Sequence, residues 1–234
     1  MFKIALTAGH YKYTAGKRCL KALDPKETRE WVLNDRICDK VEKLLKAYDG
    51  YQLIRTDDTT GEKGISNAAR ITAANNFKAD FYLSIHHNAG IKGGKGGGIV
   101  AFVYTKVSKA TKEWQKELYN SLIKHTGLKG NRATPLVAAN LEELRETKMP
   151  AVLLEMGFMD SKTDVPVILS EEYADKCAAA IVEVLVKRGN LVKKPVINED
   201  KAIYRVQVGA FSKKENAEKL VSELKAKGYN AVIV

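Results

Sequence analysis

Short apolar runs alternate along the chain with stretches in which apolar residues recur every three or four positions. The apolar runs predict buried β-strands at residues 3–9, 51–55, 81–85, 99–104 and 150–155. The periodic stretches predict amphipathic helices that begin close to Asp24, Ser66, Ser108 and Ser170. Such an alternation is typical of a parallel sheet that is covered by helices. The predicted fold class is therefore α/β, a mostly parallel twisted sheet with helices on both faces.

The start of the first helix decides which acidic side chains are free. Asp24, Pro25 and Glu27 have the spacing of a capping box with proline at the first helical position, so we predict that the helix begins there. In that arrangement the Glu27 side chain bonds to the helix backbone. Glu30, one turn further along, is then free to bind another group.

The pattern changes after Arg188. Residues 190–201 show no periodicity and contain one proline, which is typical of a linker. A strand at 203–208, a helix starting at Ser212 and a strand at 229–234 predict a small βαβ unit. A unit shorter than ~40 residues rarely folds alone. The predicted organisation is a main domain at 1–189, a linker at 190–201 and a C-terminal unit at 202–234.

Composition narrows the classes of protein. The 234 residues include 39 Lys and Arg against 28 Asp and Glu, which gives a net charge of +11. The basic residues are spread along the chain, which fits either a solvated basic surface or attraction to a polyanion such as nucleic acid, a membrane or a bacterial wall. No nucleic-acid-binding signature accompanies the charge, so we expect no nucleic-acid partner. Three cysteines without C-x-x-C spacing exclude a disulfide scaffold and a cysteine-rich zinc module.

The apolar runs also bear on targeting. The run at the start of the chain is too short for the apolar region of a signal peptide. The longest apolar stretch, at 178–186, contains Glu183 and is too short to span a bilayer. We therefore expect a chain made in the cytoplasm, without a signal peptide and without membrane insertion.

Histidines follow two of the predicted strands, and sites in open α/β sheets gather at the carboxyl ends of strands. His10 and His86 are these residues, whereas His87 points the opposite way and His125, at a helix end, has a structural role. A catalytic zinc ion takes three protein ligands, for example two His and one Glu, and keeps one position open. The candidate carboxylates are Glu27, Glu30 and Glu155.

Glu155 lies within an almost wholly apolar strand. A carboxylate in such a run is paired, metal-bound or proton-handling, because an unpaired buried charge is too costly. Burial also raises the pKa of a carboxyl group toward the range of a general base. One alternative stays open for each of the two residues. Glu155 could lie just beyond the buried part of its strand, and Glu30 could be an ordinary residue on a helix surface.

Four segments in a fixed order resemble a known family. They are TAGH at 7–10, EWVLN at 30–34, SIHHNA at 84–89 and PAVLLEMGF at 150–158. Over roughly residues 1–188 the chain resembles the zinc N-acetylmuramoyl-L-alanine amidases of the Amidase_3 type. The resemblance implies zinc ligands at His10, Glu30 and His86 and a catalytic acid/base at Glu155. The chain departs from the family at His87, where a small residue is usual.

The C-terminal segment resembles the first half of a SPOR domain, a module that binds glycan strands stripped of their peptides. The resemblance implies glycan contacts at Gln207 and Phe211. Because a SPOR domain repeats βαβ and this chain contains it once, three arrangements are open. Two chains complete each other as a homodimer, the half-domain docks on the catalytic domain, or it is a remnant with little binding. We favour the homodimer because unpaired strand edges promote pairing.

The resemblance implies zinc-dependent hydrolysis of the amide between N-acetylmuramic acid and L-alanine in peptidoglycan. A chain made in the cytoplasm, with a wall-cutting domain followed by a small wall-binding unit, resembles a phage endolysin. Such a protein stays in the cytoplasm until the membrane is breached. The alternatives are a bacterial autolysin or mother-cell lysis amidase, and a zinc peptidase or deacetylase acting on a related wall substrate. A basic binding protein without catalytic metal is the alternative outside enzymes.

Overall fold

The computed structural model describes residues 1–195 and 206–233. The chain divides into two compact units, Met1–Lys194 and Pro195–Val234. The first unit is built on a six-stranded sheet in the order β3-β1-β4-β7-β5-β6. Its strands are β1 (Phe2–Ala8), β3 (Tyr51–Arg55), β4 (Phe81–Asn88), β5 (Ile99–Val103), β6 (Leu136–Ala138) and β7 (Ala151–Phe158). β5 runs antiparallel to β7, and the other pairs are parallel. The predicted mostly parallel sheet is confirmed.

Helices cover both faces of this sheet, as predicted. They are α1 (Glu30–Leu45), α2 (Asn67–Phe77), α3 (Lys109–Thr126), α4 (Glu142–Glu146), α5 (Val165–Ile168) and α6 (Glu171–Gly189). The larger core cluster joins one sheet face to α1, α3 and α6, with Trp114 stacked 3.9 Å from Phe81. The smaller cluster joins the other face to α2 and α4 through Ala74 and Leu144. Alternation along β7 therefore places Leu153 and Glu155 on the α2/α4 face.

The first helix begins at Glu30, so its predicted start at Asp24 is wrong. The Asp24 carboxylate accepts bonds from the backbone N–H groups of Lys26 (3.2 Å) and Thr28 (2.7 Å), which closes an isolated turn. Glu27 adopts a left-handed φ of 48°, which no continuing helix allows, and it pairs with Arg18 at 3.0 Å. Glu30 is thus the first helical residue and not a residue one turn inside the helix.

The first unit extends to Lys194, beyond the predicted boundary at residue 189. Asn190 caps α6, and a short strand β8 (Val192–Lys193) pairs antiparallel with β2 (Tyr48–Asp49). The start of the segment predicted as a linker at 190–201 is therefore ordered on this unit. Its last six positions, 196–201, lie outside the described residues.

The second unit contains one helix in the described residues, α7 (Lys214–Ala226), as predicted. Its N-cap is Lys213, without a side-chain bond, so the predicted cap at Ser212 is wrong. Residues 206–208 and 229–233 are not in strands, and residues 202–205 of the predicted βαβ unit lie outside the described part. A strand needs a neighbour to satisfy its backbone, and a single such unit supplies too few. No helix in the described part of the chain is long and apolar enough to cross a membrane.

Candidate metal centre and active site

The structure brings the three predicted ligand residues together at one edge of the sheet. His10 follows β1, Glu30 begins α1, and His86 lies near the end of β4. One ligand atom from each lies within 4.8 Å of the others. Glu30 Oε2 is 3.4 Å from His10 Nε2, and Glu30 Oε1 is 3.1 Å from His86 Nδ1. Two imidazoles and a carboxylate in this arrangement could hold a divalent metal ion.

Strand register explains why the two histidines meet. β1 and β4 run parallel with Ala8 opposite Ile85, and the Gly9 N–H donates to the Ile85 carbonyl at 2.8 Å. The His86 imidazole packs against Gly9, in the space that a Cβ at this position would occupy. Only glycine at this position leaves room for the histidine. In the TAGH segment, Gly9 is therefore needed for packing, and His10 is the candidate ligand.

His10 has a left-handed φ of 66°, and a buried arginine holds it there. Arg70 of α2 donates to the His10 carbonyl at 2.8 Å and to the Ala8 carbonyl at 2.6 Å. It also donates to Thr7 Oγ1 and to the Ile65 carbonyl. Because a non-glycine residue in this region is strained, these bonds keep the His10 turn in its ligating position.

His87 points away from the centre, as predicted, and supports it from behind. Its Nδ1 lies 2.7 Å from Asn34 Oδ1, and Asn34 Nδ2 donates to the Gly9 carbonyl at 3.1 Å. Burial lowers the pKa of His87 to about 3, so the ring is neutral and donates through Nδ1. The His87 backbone N–H also donates to Glu30 Oε1 at 3.1 Å. This chain of bonds ties α1 and β4 to the end of β1.

The charges of the cluster favour the ligating forms of Glu30 and His10. Burial opposes ionisation of Glu30, but the hydrogen bond and charge of His86, with the charges of His10 and Lys17, lower its pKa to about 2. Burial lowers the pKa of His10 to about 4, against the opposing charge of Glu30. At neutral pH the cluster therefore presents a carboxylate and a neutral imidazole, the forms that bind metal.

Several buried polar atoms at the centre are available to a ligand. Glu30 Oε2, His86 Nε2 and Glu155 Oε2 are buried and have no hydrogen-bond partner among residues 1–195 and 206–233. Leaving buried polar atoms unsatisfied is costly, so atoms of this kind indicate a ligand. The site could therefore hold an ion together with its bound water or substrate.

Glu155 lies on β7 directly opposite His86 in the register of β4 and β7. Burial, together with the charge of Glu30, raises its pKa to about 7, against the opposing charge of His86. A carboxyl group with this pKa exchanges a proton readily at neutral pH. The alternative that Glu155 lies beyond the buried part of its strand is therefore wrong, as is the surface alternative for Glu30, which is fully buried.

An open cleft of about 380 Å³ lies over these residues. Besides His10, His86 and Glu155, it is lined by four charged side chains to which the sequence gives no role: Lys17, Arg70, Glu142 and Glu143. Arg70 lies in a helix predicted correctly, and no periodicity marks Arg70 as buried. Glu143 lies in α4, which is too short to show a helical period.

His10 and His86 lie at the carboxyl ends of parallel strands, and the nearby Glu155 has a pKa of about 7. This arrangement is typical of the active site of a hydrolase. The chain belongs to the N-acetylmuramoyl-L-alanine amidase family Amidase_3, whose profile matches residues 4–187. Residues 185–234 match the SPOR domain. The resemblances derived from the sequence are both confirmed, and the protein is an amidase that acts on peptidoglycan.

Individual relatives agree with this assignment. A sporulation-specific N-acetylmuramoyl-L-alanine amidase of Bacillus subtilis (strain 168) is 32% identical over 193 residues, covering 82% of this chain and 70% of the relative. An endolysin of Bacillus phage SPP1 is 32% identical over 190 residues, covering 81% of this chain and 66% of the relative. The crystal structure of an N-acetylmuramoyl-L-alanine amidase from Clostridium difficile 630 superimposes with a TM-score of 0.71 at 26% identity, covering 81% of this chain and 97% of that one.

The predicted glycan contacts lie in the second unit. Gln207 is exposed, with its Nε2 atom 3.5 Å from the Gly209 carbonyl. Phe211 is 48% exposed, and its ring packs beside Gly209. Both side chains are accessible to a ligand, and their role in glycan binding stays a prediction.

Proposed function

We propose that the amidase is zinc-dependent, with His10, Glu30 and His86 as the metal ligands and Glu155 as the acid/base. The observation that carries this proposal is the convergence of three ligand atoms within 4.8 Å. The N₂O donor set is one that zinc accepts in catalytic sites. When bound, zinc supplies a Lewis acid that polarises the scissile carbonyl and makes water a stronger acid.

Glu155 handles the proton of the reaction. Its carboxylate takes a proton from the attacking water while the new C–O bond forms at the lactyl carbonyl of N-acetylmuramic acid. The same group then delivers that proton to the alanine nitrogen as the C–N bond breaks. Delivery is required because an amide anion is a poor leaving group, and a pKa of about 7 allows both transfers at neutral pH.

A digestion of purified peptidoglycan tests this function. New N-terminal alanine and new reducing sugar ends are both scored, with and without a zinc chelator. We expect alanine amines without reducing ends, loss of the activity with the chelator, and recovery when zinc is restored. A peptidase frees amines other than alanine, and a deacetylase frees sugar amines, so either product overturns the proposal. Activity that survives complete metal removal overturns the zinc mechanism alone.

We further propose that the second unit binds peptide-free glycan through Gln207 and Phe211. An exposed aromatic ring beside an amide provides a stacking surface and hydrogen bonds for a sugar. Co-sedimentation of the whole protein with peptide-free glycan strands tests this, with Phe211→Ala as the variant and Tyr229→Ala as an exposed aromatic control in the same unit. The predicted homodimer has no support in the comparisons, and sedimentation equilibrium of the whole chain tests it.

For the biological role we propose an endolysin that stays in the cytoplasm until the membrane is opened. The phage SPP1 endolysin supports this setting, whereas the sporulation-specific amidase of Bacillus subtilis supports the alternative of mother-cell lysis. Expression in a host cell distinguishes them. An endolysin lyses the culture only after a membrane-permeabilising agent is added. Lysis of sporulating cells alone, without such an agent, supports the alternative.

A further inference from the structure

A second buried carboxylate faces the cleft and has no role in the chemistry above. Glu143 lies in α4 and is 5% exposed. Its Oε2 atom is buried and accepts no hydrogen bond from any residue that the structure describes. Burying a carboxylate oxygen without a partner is costly, so the position of Glu143 Oε2 points to a ligand that is not part of the fold.

The cations of the cleft do not neutralise Glu143. Arg70 directs its guanidinium to the backbone carbonyls of Ile65, Ala8 and His10. Lys17 Nζ lies 3.6 Å from Glu30 Oε2 at the metal centre.

Glu143 lines the same cleft as His86, Leu153 and Glu155. A substrate whose scissile amide reaches Glu155 therefore occupies the cleft that Glu143 lines. Sugar hydroxyls and backbone amides can donate hydrogen bonds to a buried carboxylate, but a cation donates and also compensates its charge. A cation is therefore the ligand that suits Glu143 best.

We propose that Glu143 binds an ammonium group of the peptide stem and so contributes to substrate specificity. This inference rests on the proposed amidase function. The ammonium has two sources: the side-chain amine of a diamino residue in the stem, or the alanine amine that the reaction releases. In the first case Glu143 selects substrates, and in the second it holds the product.

Kinetics with soluble muramoyl peptides separates these sources. The first arm compares a muramoyl tripeptide ending in lysine with the same compound acetylated on the lysine amine, at about pH 7, where the free amine is charged. If Glu143 binds the side-chain amine, acetylation raises KM of the wild-type enzyme about tenfold, a typical effect of losing a charge-assisted hydrogen bond. In Glu143→Gln the two substrates then have the same KM.

The second arm uses the product peptide as an inhibitor, with its alanine amine free or acetylated. If Glu143 holds this amine, the free peptide inhibits the wild-type enzyme about tenfold more strongly than the acetylated one. Glu143→Gln abolishes that difference. Glu146→Gln is the matched control, since this exposed residue lies on the same helix, pairs with Arg145 at 2.6 Å and does not line the cleft.

The thermal midpoint of Glu143→Gln distinguishes binding from structure. Removing an unpaired buried charge leaves Tm unchanged or higher, whereas removing a structural carboxylate lowers it. A lower Tm with unchanged KM and inhibition overturns the inference. So do wild-type kinetics that ignore acetylation in both arms. A wild-type enzyme that releases no alanine from any muramoyl peptide overturns the amidase proposal instead, which keeps the two failures distinguishable.

Discussion

Replacing Arg70 by Met should weaken both the fold and the metal centre. The substitution keeps the apolar stem of the side chain and removes a guanidinium that makes four hydrogen bonds, to Ile65, Thr7, Ala8 and His10. Hydrogen bonds to charged groups contribute about 1.5–3 kcal/mol each, and such contributions are not additive. A loss of about 3–5 kcal/mol in the free energy of unfolding is expected, within the total of about 5–15 kcal/mol typical of a domain.

The same change should reduce metal affinity, because the left-handed backbone of His10 loses the bond that holds it. Loss of a group that positions a metal ligand typically costs about 10–100-fold in affinity. Urea unfolding of the metal-free protein gives the stability change from the midpoint at a constant slope. Competition with a chromophoric chelator gives the zinc dissociation constant.

Arg36 provides the control for this experiment. It also binds backbone carbonyls, those of Ile168 at 2.7 Å and Leu169 at 3.1 Å, but does not line the cleft. Arg36→Met should lower stability and leave zinc affinity unchanged. If Arg70→Met lowers stability yet binds zinc as tightly as Arg36→Met does, the reasoning that Arg70 positions His10 is refuted.

Three further outcomes follow from the site. Glu155→Gln should lose about 10²–10⁴-fold in alanine release while retaining zinc by metal analysis, and a variant with near-normal activity would exclude Glu155 as the acid/base. Because the base form is the ionised one and the pKa of Glu155 is raised to about 7, kcat/KM of the wild-type enzyme should rise as pH increases through that value. A profile flat from pH 5 to 8 would contradict this role. Gly9→Ala should displace the His86 ring and weaken zinc binding at least ~10-fold, which the chelator competition measures; unchanged affinity would show that His86 has room to move.

For a physical reason, the sequence was sufficient to predict that the proposed metal ligands lie together. Parallel strands carry successive segments to the same edge, so histidines placed just after β1 and near the end of β4 must meet there. Glu30 does lie beside the two histidines, although the predicted helix start at Asp24 was wrong. The real reason is that Glu30 is the first residue of α1, since the turn at Asp24 is separate from the helix.

Other features depend on distant contacts that no local pattern records. The apolar run of β5 is the same whether the strand runs parallel or antiparallel to β7, and only packing decides. The burial of Glu143 comes from the cleft wall and not from its own helix, whose neighbouring glutamates are partly or fully exposed. In the second unit, the alternating residues 206–208 and 229–233 have strand propensity but no strand in the described structure, because propensity is realised only through pairing.

The dispersed origin of the site has a consequence for the synthesis of the protein. Its residues come from the end of β1 and from α1, β4 and β7. β4 pairs with β7 across a long separation, with Tyr82 opposite Ala151. Long-range parallel pairing forms late, because closing the intervening loop costs entropy before any contact compensates it. A nascent chain therefore carries its histidines and Glu30 long before it holds Glu155. If Glu155 is the acid/base, the enzyme becomes active only when β7 joins the sheet, and incomplete chains are inert toward the wall.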